Sequence, residues 1–287
     1  VKSIKAKAEF EFHERVEDYL QIMRSAASLA NIKPNLTRSD WKEFNEIHNI
    51  PERFSGFIGL SMVFAVKPHD LARFESSMRG SLGSSFKVKY LPTNLGGVSG
   101  SRTGADSDHL IVTYMEPSLG NSQVIGVDIS SERTRRIAAF AARDSGLPTI
   151  TDKINLIQNS VSTDGCLVFY PVYRHGAEVK TIEARRKNFL GVISAPLTFT
   201  NFFERTMGYF KNQIDFTIYE GSRVNADSRL YSTLDPKLIE KAAVDSTTVI
   251  PVGQKFLTVA WYLKSGGYGS GESIMAWSVF ICCMVTL

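Results

Sequence analysis

The residues of this sequence that are able to do chemistry are few and widely spaced. The sequence contains five histidines, which are His13, His48, His69, His109 and His175. No two of them share a metal-ligand spacing such as HExxH, and neither a GxSxG elbow nor a phosphate-binding GK[ST] loop occurs. Cys166 has no basic neighbour to activate its thiol and opens an apolar segment, which favours a buried core residue. The sequence therefore predicts no catalytic residue, no metal and no cofactor.

One acidic residue occupies a position that suits ligand recognition. Asp128 closes the apolar segment QVIGVD and lies directly before a predicted helix. One interpretation is a helix cap, because aspartate accepts hydrogen bonds from the free backbone N–H groups of a first turn. Ser130 or Ser131 can cap equally well, which would leave the carboxylate to accept hydrogen bonds from a ligand in a partly dry pocket. Position alone leaves both interpretations open.

A long helix is predicted at the start of the chain. Apolar or small residues recur there at alternating spacings of four and three, at Phe12, Val16, Tyr19, Met23, Ala26 and Ala30. The helix should end near Asn31, because Pro34 follows. It packs on its own domain, pairs with a second copy of the chain, or does both. A short helix is expected over residues 40–46, capped by Ser39 or Asp40.

The remaining pattern mixes strands and helices without regular alternation. Runs rich in β-branched and aromatic residues predict strands at 57–66, 109–115, 167–173, 189–197, 214–219, 248–251 and 255–263. Helices are expected at 69–78, at 131–142 and through Phe202 to Phe210. The Gly- and Ser-rich stretch 91–108 predicts a surface loop, and the DSDH run at 106–109 predicts solvated turn residues. Irregular order of this kind indicates an α+β fold with antiparallel sheets.

Composition and charge narrow the class of protein further. The formal net charge of +4 comes from 33 basic and 29 acidic residues without a long block of one sign, so nucleic acid is not an expected partner. The short basic clusters at 133–136 and 185–187 predict solvated faces. The uncharged run 273–287 follows a polar, Gly-rich linker and predicts the start of a transmembrane helix, with a buried terminal element as the alternative.

The spaced motifs resemble those of the CHASE family of extracytoplasmic sensor domains. The resemblance is carried by Trp41 and Phe44, YMEP at 114–117, Asn121, GVD at 126–128, ARDSG at 142–146, PVY at 171–173 and FLGV at 189–192. It covers the chain from the N-terminal helix to about Leu197 and is weak beyond Thr198.

The resemblance implies an architecture of four segments. Residues 1–50 would form a stalk helix and a short helix, and 51–198 a membrane-distal PAS-like domain that holds the ligand. Residues 199–265 would form a membrane-proximal PAS-like domain, and 273–287 the start of the transmembrane helix. The fold class expected is therefore α+β, with a long helix before two tandem PAS-like domains with antiparallel sheets.

The resemblance also implies a ligand site. In the plant cytokinin receptors of this family an aspartate at the position of Asp128 binds adenine-type cytokinins. On the same basis Ser145 at a helix end, Ile150, and Val168 and Tyr170 of the central strand are candidate ligand contacts. Tyr114 and Met62 are added because strand alternation should place them on one sheet face. For each apolar member, core packing is the competing interpretation. Phe169 and Tyr170 are larger than expected for an open pocket, so a different small ligand is an alternative.

The function that follows is signalling rather than catalysis. The chain is expected to be the small-molecule-sensing part of a homodimeric receptor in the cell (inner) membrane, lying on the periplasmic or extracellular side. It would signal to a cytoplasmic histidine kinase or nucleotide cyclase and would not itself be an enzyme. The alternative is a ligand-free scaffold of an envelope protein, which dimerises or binds another protein.

Overall fold

The computed structural model describes residues 2–91, 108–157, 163–239 and 241–262. The helices are α1 (Lys2–Ile32), α2 (Arg38–Ile47), α3 (Ile50–Arg53), α4 (Leu71–Leu82), α5 (Arg133–Ser145), α6 (Ile182–Asn188), α7 (Phe199–Met207) and α8 (Pro236–Ile239). The strands are β1 (Leu60–Val66), β2 (Lys89–Tyr90), β3 (His109–Glu116), β4 (Val127–Asp128), β5 (Thr149–Ile150), β6 (Ile154–Leu156), β7 (Thr163–Tyr173), β8 (Phe189–Thr198), β9 (Asp215–Glu220), β10 (Arg229–Ser232), β11 (Ser246–Val252) and β12 (Lys255–Tyr262).

Helix α1 confirms the predicted long N-terminal helix. Its repeating apolar residues are buried, with Phe12, Met23 and Ala26 at 0% exposure. They form one cluster with strands of the larger sheet and with phenylalanines of α7. Because that stripe is covered by the same chain, packing on its own domain accounts for the periodicity.

The larger sheet has eight strands in the order β2-β4-β3-β1-β8-β7-β5, with β6 also paired to β7. Every pair is antiparallel except the short β2–β4 pair. Its two faces carry different clusters, one built around α1 and the other around α5. The sheet is therefore a layer between two helices, which confirms the α+β class and the antiparallel pairing.

The second sheet has four antiparallel strands in the order β10-β9-β12-β11. Phe216 and Trp261 of this sheet are fully buried and share the α1 cluster with Phe203 of α7. Helix α7 and the N-terminal part of α1 thus connect the two sheets through apolar contacts. The domain limits at 198 and 265 stay a prediction.

The structure differs from the sequence predictions at the starts of α2 and α5. Helix α2 is capped by Thr37, not by Ser39 or Asp40, and Asp40 completes a capping box by accepting from the Thr37 backbone. Helix α5 begins two residues later than predicted and is capped by Glu132. The predicted loop at 91–108, apart from its two end residues, and the apolar run at 273–287 lie outside the described residues.

Candidate functional site

Asp128 lies at the centre of a buried polar cluster, the Asp128 centre, formed with His109, Ser130 and Ser131. The Asp128 side chain is fully buried. Its Oδ1 accepts from the backbone N–H of Leu110 (3.0 Å), from the Ser130 backbone N–H (3.0 Å) and from the Ser130 hydroxyl (2.5 Å). Its Oδ2 lies 2.8 Å from Nδ1 of His109. A buried carboxylate with this many donors is held rigidly.

The Asp128 centre also contacts Leu91 and Asp108, the described residues on either side of residues 92–107. The Leu91 backbone N–H donates to the Ser131 hydroxyl (3.0 Å), and the Ser130 hydroxyl also approaches the Asp108 carbonyl (3.2 Å). The Asp108 carboxylate in turn receives Lys67 at 2.9 and 3.0 Å. The Asp128 centre therefore joins β2, β3 and the start of α5.

The structure answers the capping question for Asp128. Its carboxylate caps the single 3-10 turn at Ile129–Ser131, whereas Glu132 caps α5 through the backbone N–H groups of Thr134 and Arg135. The prediction of a solvated turn at DSDH is wrong for its described residues. Asp108 and His109 are 4% and 8% exposed because they pair with Lys67 and Asp128.

Five of the other predicted site residues lie together on the α1 face of the larger sheet. Met62, Tyr114, Ile150 and Val168 are buried in the α1 cluster, and Tyr170 packs against it. Met62 and Tyr114 are cross-strand partners, which confirms that they share a face. All five therefore have core contacts that explain their burial.

Two of these residues also make specific polar contacts within the chain. The Tyr114 hydroxyl donates to the Leu36 carbonyl (3.0 Å), and burial raises the pKa of this phenol. The Arg24 side chain of α1 donates to the Tyr170 hydroxyl (3.2 Å). Both tyrosines thus attach the sheet to the N-terminal helical region.

The α5 face of the same sheet carries a different set of residues. Phe169, Val112 and Val192 pack there against Ala139 and Phe140 of α5. Asp128 lies next to this cluster in sequence, between Val127 and Ile129, which both belong to it. The predicted site residues are therefore not brought into a single pocket.

Ser145, the seventh predicted residue, lies at the junction between the two sheets. Its hydroxyl donates to the Ala141 carbonyl (2.8 Å) and accepts from the Gln254 side chain (2.7 Å). Gln254 occupies the turn between β11 and β12 and also donates to the Thr149 hydroxyl (2.5 Å). This α5–β12 junction links the end of α5 to the second sheet.

Charged residues reinforce the α5–β12 junction. Lys255 contacts the Asp152 carboxylate and lies 3.0 Å from Glu220. Burial lowers the pKa of Lys255, but the two carboxylates outweigh this effect and raise it, so the ammonium stays charged. An ion pair of one lysine with two carboxylates thus lies between the sheets.

Cys166 is buried close to the α5–β12 junction. Burial, with a smaller contribution from Glu220, raises the pKa of its thiol to about 12. Together with Ile150 it lines an apolar cavity of about 50 Å³ between the sheets. A protonated thiol in this place is a core residue, as the sequence predicted.

Arg135 and Arg143 are buried, and for Arg135 this shows that the solvated face expected for the basic cluster 133–136 is wrong at this residue. Arg135 is 3% exposed and pairs with Glu132 at 3.1 Å. Arg143 is 1% exposed and lies over the Phe140 ring, with the charge 4.4 Å from the ring centroid. Sequence reasoning missed their burial, because Arg135 also donates to the Asn155 carbonyl and Arg143 also lies near the Phe189 ring, contacts that only the fold brings close. It missed His109 for the same reason, since the pairing of β3 with β4 brings His109 to Asp128.

Two larger clefts open on the surface. One, of about 420 Å³, lies beside α4 and is lined by five basic residues, Lys67, Arg73, Arg174, Arg186 and Lys187, among others. The second, of about 290 Å³, lies between α2, α3 and the end of β3. None of the seven predicted site residues lines either of them.

Within residues 2–91, 108–157, 163–239 and 241–262, no group of three His, Cys, Asp or Glu side chains is placed to hold a metal ion. Over the same ranges no helix combines the length and apolar character needed to cross a bilayer.

Comparison with known proteins shows that this chain is similar in sequence to a signalling protein. A hybrid signal transduction histidine kinase A of Dictyostelium discoideum is 25% identical over 193 residues, which is 64% of this chain and 8% of that protein. The chain thus spans about a twelfth of that relative.

The solved structures found by comparison include a chemotaxis protein and domains of two chemoreceptors, each with a TM-score below 0.5. A methyl-accepting chemotaxis protein X has a TM-score of 0.48 at 12% identity, covering 91% of this chain and 95% of the other. The Pseudomonas aeruginosa chemoreceptor PctC domain, in complex with GABA, has a TM-score of 0.46 at 12% identity, with 91% and 97% covered. The periplasmic domain of Campylobacter jejuni Tlp1 has a TM-score of 0.43 at 11% identity, with 92% of both chains covered.

The family match covers most of the chain. The sequence model of the CHASE domain matches residues 34–231, from the start of the α2 region into the second sheet. This range includes the Asp128 centre, both faces of the larger sheet and helix α5. The chain belongs to the CHASE domain family.

Proposed function

We propose that this chain is the extracytoplasmic, small-molecule-sensing domain of a membrane receptor. Membership of the CHASE family is the observation that carries the proposal, because CHASE domains are sensor domains. The curated relative is a signal transduction histidine kinase, which supports a cytoplasmic histidine kinase, or alternatively a cyclase, as the output. In this proposal, flanking helices anchor a homodimer in the cell membrane, and the sheets form a distal and a proximal PAS-like domain.

The ligand site of this proposal is the Asp128 centre, and the ligand is a small molecule with N–H donors. The Asp128 carboxyl group is buried, so a ligand N–H that shares Oδ2 with His109 would make a hydrogen bond shielded from water. Adenine-type cytokinins are one such class, and Asp128 is the residue that would recognise them. Contacts of a ligand with the five residues on the α1 face stay predictions, since core packing accounts for their positions.

Helix α5 supports a route from this site to the second sheet. Its start is held by the Asp128 centre, and its end contacts Gln254 through Ser145. A ligand that moves Asp128 would therefore displace the α5–β12 junction. In this mechanism the ligand binds one of two arrangements of the dimer more tightly than the other. The difference between its two binding free energies sets how far the equilibrium between the arrangements shifts.

The test is binding of small molecules to the purified chain. Thermal shift with a library that contains N6-isopentenyladenine and other adenine derivatives should give stabilisation by at least one compound. Asp128→Asn keeps the shape but removes the charge, so we expect titration calorimetry to show that affinity falls roughly tenfold or more. The exposed Asp227→Asn is the control for a lost negative charge and should bind as the wild type does.

Two results would count against the ligand site. If the Asp128→Asn variant is folded by circular dichroism and binds with unchanged affinity, Asp128 does not contact the ligand. If no compound stabilises the wild type, the sensing function itself loses its support.

A second candidate function, a ligand-free scaffold, is favoured by the packing of the α1 face. Met62 is fully buried there, and the Tyr170 hydroxyl accepts from Arg24, so both side chains already have partners within the chain. A scaffold of this kind would dimerise without any ligand. Sedimentation equilibrium with and without the stabilising compound separates the two functions, since only a sensor changes its dimer constant on binding.

A further inference from the structure

The cleft between α2, α3 and the end of β3, called the α2–α3 cleft, combines buried acceptors with negative charge. Two prolines and six polar residues line it: Lys42, Asn45, Glu46, Asn49, Glu52 and Glu116. Its volume of about 290 Å³ suits a small organic molecule. Asn45 and Glu116 form its buried part, at 4% and 6% exposure.

Each of these two buried side chains has an oxygen atom that no donor reaches among the described residues. Glu116 Oε2 accepts from the Ser118 backbone N–H (3.0 Å), but Oε1 has no hydrogen-bond partner. Asn45 donates through Nδ2 to the Trp41 carbonyl (2.7 Å), while its Oδ1 has none. A buried acceptor without a donor costs roughly 1–3 kcal/mol, and more when it is charged. Both oxygens are covered in the free chain, so a ligand donor in the cleft would pair with them through a rotation of the two side chains, which line the cleft.

The charge of the cleft determines the sign of that ligand. Three carboxylates, Glu46, Glu52 and Glu116, face one lysine, Lys42. The Lys42 ammonium lies 3.6 Å from the Glu46 carboxylate, and both side chains are more than 60% exposed. That pair leaves Glu52 and the buried Glu116 carboxylate to attract a cation.

The chemistry favours an organic cation over a metal ion. No set of three His, Cys, Asp or Glu side chains within the described ranges is arranged around a metal position. The cavity also exceeds the space of about 30 Å³ that one water molecule occupies, so a bare ion would leave most of it unfilled. We propose that the α2–α3 cleft binds the ammonium or guanidinium group of a small organic cation, which donates N–H groups to Glu116 Oε1 and Asn45 Oδ1.

This site is separate from the Asp128 centre and does not depend on the proposed function. The two share no residue, and Glu116 lies at the opposite end of β3 from His109. A cation in the cleft would connect α2 to β3. Trp41 of α2 already donates to the Leu60 carbonyl of β1 (3.1 Å), the strand that pairs with β3.

The probes are butylammonium and agmatine, with 1-butanol as the neutral control and CaCl₂ and KCl as the metal controls. Titration calorimetry and thermal shift on the whole chain, at constant ionic strength, should show binding of agmatine and butylammonium and none of 1-butanol. Stabilisation by 1-butanol to the same extent would overturn the proposal, because an apolar contact would then explain the signal. So would binding of Ca²⁺ without binding of either amine.

Three variants locate the site. Glu116→Gln removes the buried charge and should weaken agmatine roughly tenfold or more, and the exposed Glu52→Gln roughly two- to threefold. Glu178→Gln removes the same charge from an exposed position outside the cleft and should leave affinity unchanged.

Unchanged agmatine affinity in folded Glu116→Gln would refute the site. If that variant does not fold, wild-type affinity in Glu52→Gln refutes it instead. Asp128→Asn should bind agmatine as the wild type does, so loss of one site is distinguishable from loss of the other.

Discussion

Removing the Asp144 carboxylate should make the stability of this domain less dependent on pH. Asp144 Oδ1 accepts from Nε of Arg143 (2.7 Å) and from Nε of Arg186 (3.0 Å), and Oδ2 accepts from a second nitrogen of Arg186 (2.5 Å). Burial raises the pKa of Asp144, but the hydrogen bonds and charges of the two arginines outweigh it and lower the pKa from 3.8 to about 2. The folded state therefore favours the charged carboxylate.

The size of the effect follows from that difference in pKa. Between 3.8 and about 2 it corresponds to roughly 2.4 kcal/mol. Since the Asp144 side chain is 25% exposed and Arg186 is 43% exposed, solvent screens the pair, and we expect about 1 kcal/mol. Because the folded pKa is the lower one, this stability is present above about pH 4 and is lost as the pH falls towards 2.

The assay is urea denaturation of wild type and Asp144→Asn between pH 2 and pH 8. The variant should be less stable by about 1 kcal/mol at pH 7, and the difference should shrink below pH 4. Asp227→Asn, an exposed acid without an ion pair in the described structure, serves as the control. A difference that stays the same down to pH 2 would refute the reasoning, since it would not depend on ionisation of Asp144.

Two further predictions concern the core. Tyr19→Phe removes the hydroxyl that accepts from the Gly56 backbone N–H (2.9 Å) and should cost about 1–2 kcal/mol in urea denaturation; an unchanged midpoint would contradict it. Cys166, with a thiol pKa of about 12 in a buried site, should not react with an aromatic disulfide reagent at pH 8 until the chain unfolds. The measurement is made on a Cys282→Ser/Cys283→Ser variant, in which Cys166 is the remaining cysteine. Equal rates of thiol modification in native buffer and in urea would contradict the prediction, because they would show that the folded chain exposes the thiol.

The sequence predicted the elements whose signals are local and repeated. The stripe from Phe12 to Ala30 identified α1, a helix of 31 residues, because a buried residue recurs at every third or fourth position along the stripe. Strand alternation placed Met62 and Tyr114 on one face correctly. Which face that was, the α1 face or the α5 face, depends on the order of the strands, and no local pattern encodes that order.

The polar contacts were less predictable, because they join residues that are distant along the chain. Asp128 and His109 are 19 residues apart, and only the pairing of β3 with β4 brings them within 2.8 Å. The two-residue strands β4 and β5 are too short for any periodic signal. Gln254 reaches Ser145 over 109 residues through the turn of a separate sheet.

Helix α5 is the element that connects these distant contacts. It has 13 residues and so spans about 20 Å, and its apolar face packs on the larger sheet. The Asp128 centre holds its start, and the α5–β12 junction holds its end. Because a packed helix moves as a rigid unit, a change at Asp128 that shifts α5 must either break the Gln254 contacts or move the second sheet with it. In the proposed sensing mechanism, Gln254→Ala should therefore leave the affinity of a ligand that binds at Asp128 nearly unchanged while reducing the effect of that ligand on the proposed dimerisation.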